Sequence, residues 1–131
     1  MKFSITESKL NKVIFNYLNQ KHFVKKEIND RIYFLYNIDD EYAQIRYDKN
    51  DGRCFIYYKL IEEISLFFSL QRFDSEQVIG KWVEDTLQME VTNTFDVLHA
   101  ELDVVEDTLQ MEVTYTLRVK LDADKLKIPF K

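Results

Sequence analysis

Three arginines, Arg31, Arg46 and Arg53, are interleaved with Tyr42, Phe55 and Tyr57 in the first half of the chain. Those types in that alternation suit one chemistry: on a sheet, aromatic rings stack nucleobases while guanidinium groups hold the phosphates of a single strand. A half-covered core sheet uses the same letters, with the rings serving as packing, and that is the expectation here. The six residues are therefore a candidate partner surface, with single-stranded nucleic acid as the alternative. A net charge of −5 works against a polyanionic ligand.

Catalytic and metal-binding patterns are scarce. Only Gly52 and Gly80 occur, too few for a phosphate-cradling loop, a dinucleotide fingerprint or a nucleophile elbow. The acidic run from Asp48 suggests a calcium loop, but its glycine stands fifth instead of sixth and no glutamate stands twelfth, so it reads as a hairpin turn. His22, His99 and Cys54 are the only imidazole and thiol groups, and they lack the paired spacing of a zinc site. Cys54 reads as a small buried residue in a strand, His22 as a cation after the first helix, and His99 as dispensable. The carboxylates of Asp39-Asp40-Glu41 and Glu62-Glu63 sit on adjacent residues, which point apart on a strand or helix, so they read as solvated charge. No catalytic residue, cofactor site or metal ligand is assigned, and a non-enzyme is expected, with an enzyme of unidentified class the last alternative.

The stretch Gly52-Arg53-Cys54-Phe55-Ile56-Tyr57-Tyr58 resembles part of the RNA-recognition-motif signature, G-x-x-F-V/I-x-Y. The resemblance implies a stacking platform. It departs at the leading basic position, which holds Asp51, and at the first aromatic position, which holds Arg53. The order of elements also lacks that fold's opening strand and helix.

Ser4 and Glu7 have capping-box spacing, and Leu10, Val13, Ile14, Tyr17 and Leu18 follow on one face, predicting a helix over 5–19. Runs rich in β-branched and aromatic residues predict strands at Ile32–Asn37, Tyr42–Asp48 and Arg53–Tyr58, joined by turns at Asp39-Asp40 and at Lys49 to Gly52, where glycine supplies a positive φ. The period then changes: Leu60, Ile61, Ile64, Phe67 and Phe68 share the inward face of a second helix ending near Leu70. Asp74 and Gln77 have cap spacing, with Phe73 facing Val78 as a hydrophobic staple, so a third helix is expected to start at Ser75 with Ile79, Trp82 and Val83 inward.

The ten residues Val83 to Thr92 return unchanged at Val105 to Thr114, and 11 of the 12 positions from Val83 to Thr94 match at a shift of 22. This is a tandem duplication, 83–104 and 105–126, within a single domain of 131 residues. Two copies are too few for a solenoid, which needs about three repeats. Each copy reads as a helix end followed by an alternating strand. Leu87, Met89, Val91, Phe95 and Val97 alternate in the first copy, and the second gives a regular strand over 109–121. Leu98, Leu102, Val105 and Leu109 have helical spacing, which predicts a short helix between them. The unit holds six carboxylates and no Lys or Arg, so without one copy the net charge of −5 becomes +1. The acidity of this chain comes from the duplication.

The fold class expected is α+β: an N-terminal helix, a three-stranded antiparallel meander, two helices, then two strands around a short helix. Residues 1–60 carry 11 basic and 8 acidic side chains, against 7 and 15 in 61–131, so the halves offer different faces to partners. One cysteine, no secretory-type start and no long apolar run point to an intracellular, cytoplasmic protein with no membrane partner. Abundant Lys, Asn, Ile, Phe and Tyr favour an AT-rich genome, bacterial, viral or phage. A viral chain would sit in the virion or host cytoplasm. The function expected is a protein-binding or accessory module, with homodimerisation through an edge strand at 109–121 as one mode of association.

Overall fold

The computed structural model describes residues 7–104. It shows helix α1 (Glu7–Asn19), strands β1 (Val24–Ile28), β2 (Arg31–Leu35), β3 (Ile45–Asp48) and β4 (Arg53–Tyr57), helices α2 (Tyr58–Phe68) and α3 (Arg72–Leu87), strand β5 (Asn93–Val97) and a 3-10 turn at His99–Leu102. The α+β class and the expected order hold, with one strand more than the sequence suggested. Ser4 of the capping box, the strand expected at 109–121 and its homodimer edge lie outside the described residues.

The strands form one sheet in the order β1-β2-β3-β4-β5. The first three pairings are antiparallel, so the meander has four strands. The fifth strand departs from an antiparallel sheet: β5 runs parallel to β4, with Phe55 opposite Phe95. Its direction follows from the connection, because two helices carry the chain from the end of β4 back to the end of the sheet where β4 starts before β5 begins.

The extra strand, β1, reads VKKEI, and its charged letters hide it from a search for apolar runs. Those charges suit an edge, where Lys discourages pairing with other chains. The signal for β1 was the turn after it. Asn29-Asp30 joins Ile28 to Arg31 in two residues, with Asn29 at φ 59°, the left-handed conformation that two-residue hairpin turns require.

The period-two alternation of the strands divides the side chains between two layers. Ile32, Phe34, Ile45, Tyr47, Cys54 and Ile56 face Ile14 and Leu18 of α1, Leu60, Ile61 and Ile64 of α2, and Val78, Ile79, Trp82 and Val83 of α3. Ile28, Tyr33, Leu35 and Tyr57 lie in a second cluster with Ala43, Leu102 and Val104. The segment around the 3-10 turn is strapped across this side: Ala43 N–H donates to Leu102 O at 2.9 Å, Val104 N–H to Glu41 O at 2.9 Å, and Tyr42 bridges to Asp103. The helix predicted between the repeats is thus a four-residue 3-10 turn.

Helix α3 starts at Arg72, three residues before the expected start at Ser75. Gln71 is its N-cap, without a side-chain bond, and Ser75 N–H already reaches back to Gln71 O at 3.0 Å. Ser75 is buried, its Oγ 2.7 Å from Ser65 Oγ on α2, and that contact draws the chain into helix earlier than the cap letters indicate. Asp74 still lies in the first turn, where the helix dipole favours it. The staple does not form: Phe73 is 67% exposed.

The first copy of the repeat also differs in detail. Leu87 closes α3, Gln88 takes a left-handed conformation at φ 57° with its N–H on Glu84 O, and only Asn93–Val97 is strand. Met89 and Val91 lie in the connection, because that left-handed residue breaks the alternation read from the letters. No helix among the described residues is long and apolar enough to cross a membrane.

Candidate functional site

The six sequence candidates are brought to one side of the sheet or its margin, but most are committed there. Register places Lys26, Tyr33, Arg46, Phe55 and Phe95 in one row across the five strands. Arg46 grips Asp48 with its fork, Nε to Oδ1 at 2.9 Å and Nη2 to Oδ2 at 3.1 Å, and donates from Nη1 to Glu101 O at 2.7 Å. The Arg46 guanidinium carbon is also 4.1 Å from the centre of the Phe55 ring. Phe95 stacks on Phe55 from the neighbouring strand at 5.0 Å. Phe55 therefore has a cation on one side and a ring on the other, which is how this fold uses the letters that could have stacked a base.

Tyr57 is buried, and Tyr42 is partly exposed. Between them sits His99, 4.3 Å from Tyr57 and 4.6 Å from Tyr42, nearly parallel to both. No pattern of letters signals this, since His99 has no counterpart in the second copy. Arg31 and Arg53 differ from Arg46 in being open at the sheet's turn end. Cys54 is fully buried, and burial pushes its thiol far above the usual range, so it is unsuited to act as a nucleophile. Among the described residues, no three His, Cys, Asp or Glu side chains gather to hold a metal ion.

A second surface lies on the helical layer, at positions where the periodicity predicts core. Helical periodicity put Phe67 inward beside Phe68, but α2 turns Leu60, Ile61 and Ile64 to the sheet and leaves Phe67 at 65% exposed and Leu66 at 78%. Across the short Ser69–Gln71 connection is exposed Phe73. Phe67 stacks on Tyr17 of α1 at 4.9 Å, and Val13, one turn earlier on α1, is 49% exposed. Apolar side chains thus run from α1 to the α2–α3 corner, and Glu63 and Lys21 edge them. Lys21 Nζ is 2.6 Å from Glu63 Oε2, and Tyr17 donates its hydroxyl to the same oxygen. That bond to Glu63, with burial, holds the Tyr17 phenol above its ordinary pKa. Burial lowers the Lys21 ammonium, but the bond to Glu63 together with the charges of Tyr36, Glu63 and Tyr17 outweighs it and the net direction is up.

The fold and its surfaces define an α+β protein with helices over one face of a mixed five-stranded sheet. Compared with known proteins, the chain matches no family model, no curated protein and no solved structure.

Proposed function

We propose that this chain is a non-enzymatic binding module that engages another protein through the apolar α2–α3 corner. The observation that carries it is the exposure of Leu66, Phe67 and Phe73 on consecutive helices, large apolar side chains whose contact with water is unfavourable. Large apolar anchors inside a charged rim, here Lys21 and Glu63, are the usual make-up of a protein interface.

A photo-cross-linking residue at Leu66 or Phe73, in the organism that makes the chain, is expected to yield the same adduct from both positions and none from exposed Lys25 on β1. The adduct should disappear with Phe67→Asp. Adducts from neither corner position, or the same adduct from Lys25, would remove the corner as the docking surface. An adduct of twice the chain mass with purified protein would identify the partner as a second copy.

Nucleic acid is the weaker reading, since Arg46 is held by Asp48 and Phe55 is flanked on both sides. Single-stranded oligonucleotides are expected to bind more weakly than about 10 μM at physiological salt. Sub-micromolar fluorescence anisotropy, lost in Arg53→Ala and Tyr57→Ala, would reverse that ranking.

A further inference from the structure

At the turn end of the sheet, opposite the helical layer, a cavity of about 540 Å³ opens between the β1–β2 and β3–β4 turns. The turns are tied together by Lys49 N–H donating to Asp30 O at 2.8 Å. Ile28, Arg31, Asp48 and Arg53 lie in one row of the sheet and line the cavity. Arg31 and Arg53 flank Asp48 from β2 and β4, with backbones roughly 10 Å apart at two strand spacings, close enough for long side chains to converge.

The charges in this cavity are unequally engaged. Asp48 is taken by the Arg46 fork, and Asp51 by Arg53 Nε at 2.7 Å. The Arg31 guanidinium has only a 3.8 Å approach to Asp48 Oδ1, too long for a hydrogen bond. Its donors, and the Nη groups of Arg53, are uncommitted among the described residues, and each side chain is nearly half exposed, at 43% and 47%. Tyr33 also lines the cavity. It is fully buried, and its hydroxyl is the one enclosed side-chain polar atom among the described residues without a hydrogen-bond partner. Such a group is destabilising in a fold that does not use it.

We propose that this cavity binds a small molecule bearing an oxyanion, a carboxylate or a phosphate. The anion is held between the Arg31 fork and the Arg53 Nη groups, and Tyr33 donates its hydroxyl to an oxygen of the ligand. Planar guanidinium forks match both anions in two-point geometry, and every uncommitted group named is a donor, which selects an acceptor-rich ligand. Asp30 at the rim disfavours densely charged polyanions and favours a ligand with a single anionic group.

The test is an amide-shift titration of the full ¹⁵N-labelled chain with inorganic phosphate and, separately, with acetate and succinate, at constant ionic strength. Saturable shifts confined to Asn29–Arg31 and Asn50–Arg53 are expected, with a dissociation constant of about 1 mM or tighter for at least one anion. The arm that saturates first distinguishes phosphate from carboxylate. Arg31→Ala is expected to weaken binding about tenfold or more, and Arg31→Lys to restore only part of it, because an ammonium lacks the fork. Tyr33→Phe should weaken binding while raising the melting temperature of the ligand-free protein, a combination that a purely structural hydroxyl would not give. Absence of saturable shifts up to 20 mM with all three anions, or shifts unchanged in Arg31→Ala, would overturn the proposal.

Discussion

Gly80→Ala is expected to lower the melting temperature by up to about 7 °C, although alanine in mid-helix ordinarily gains about 1 kcal/mol over glycine. Gly80 lies inside α3 where the helix presses on β5, and a Cβ placed there would meet Thr94 Cγ2 at 2.6 Å. Thr94 cannot swing away cheaply. Its hydroxyl donates to Glu76 Oε1 at 2.7 Å and accepts from Gln77 Nε2 at 3.1 Å, both on α3. Overpacking of this kind costs about 1–3 kcal/mol, which exceeds the helix gain. The mechanism makes a sharper demand: Thr94→Ser keeps the hydroxyl and removes the methyl group, so Gly80→Ala in a Thr94→Ser background should be neutral or stabilising. If thermal melts show the two changes to be additive, the clash is not what reserves this position for glycine.

The reason the fold was largely legible, and the surfaces much less so, lies in particular residues. Ile32, Phe34, Ile45, Cys54 and Ile56 alternate or recur with enough apolar weight to announce strands, and Leu60, Ile61 and Ile64 announce a helix, because burial of one face dictates those periods. β1 escaped because an edge strand needs few apolar residues, and its lysines obey a different pressure. The start of α3 was misplaced because cap letters act locally, whereas the Ser65–Ser75 contact is tertiary. The parallel direction of β5 depends on where two helices deliver the chain, which no letter within Asn93–Val97 encodes. At the candidate surface, residue types were readable but commitments were not. Arg46 and Arg53 look alike in sequence, each with an aspartate two residues away, and only the tertiary fold gives Arg46 a further carbonyl, Glu101 O, from the strap.

Deleting Val83–Val104 is expected to leave a chain of 109 residues that still folds cooperatively, even though the deleted stretch is tightly gripped. Both glycines close on it: a Cβ at Gly52 would lie 2.9 Å from Thr92 Cγ2, and one at Gly80 meets Thr94. Tyr47 donates its hydroxyl to Glu90 O at 2.6 Å, Thr92 Oγ1 donates to Asp51 O at 2.7 Å, and Val91 N–H donates to Glu84 Oε2 at 3.2 Å. Removing these residues from an ordinary protein would unfold it. Here Glu106, Glu112, Val113, Thr114 and Thr116 have the same types at the same spacing, so the shortened chain supplies every one of these groups from the second copy. What does not recur sets the cost. Phe95, which stacks on Phe55, becomes Leu117, and Asp96, paired with Arg72 at 2.6 Å, becomes Arg118. Leu102, fully buried under the strap, becomes Asp124. Losing a buried leucine costs about 2–5 kcal/mol, so the melting temperature should fall by roughly 10–25 °C with the transition still cooperative. Arg118→Asp in the shortened chain should recover part of that loss by restoring the partner of Arg72, a gain of about 0–1 kcal/mol for an exposed pair. Circular dichroism showing no cooperative transition between 5 and 60 °C would mean that the second copy cannot take the place of the first, and that the contacts to Gly52 and Gly80 depend on more than the repeated letters.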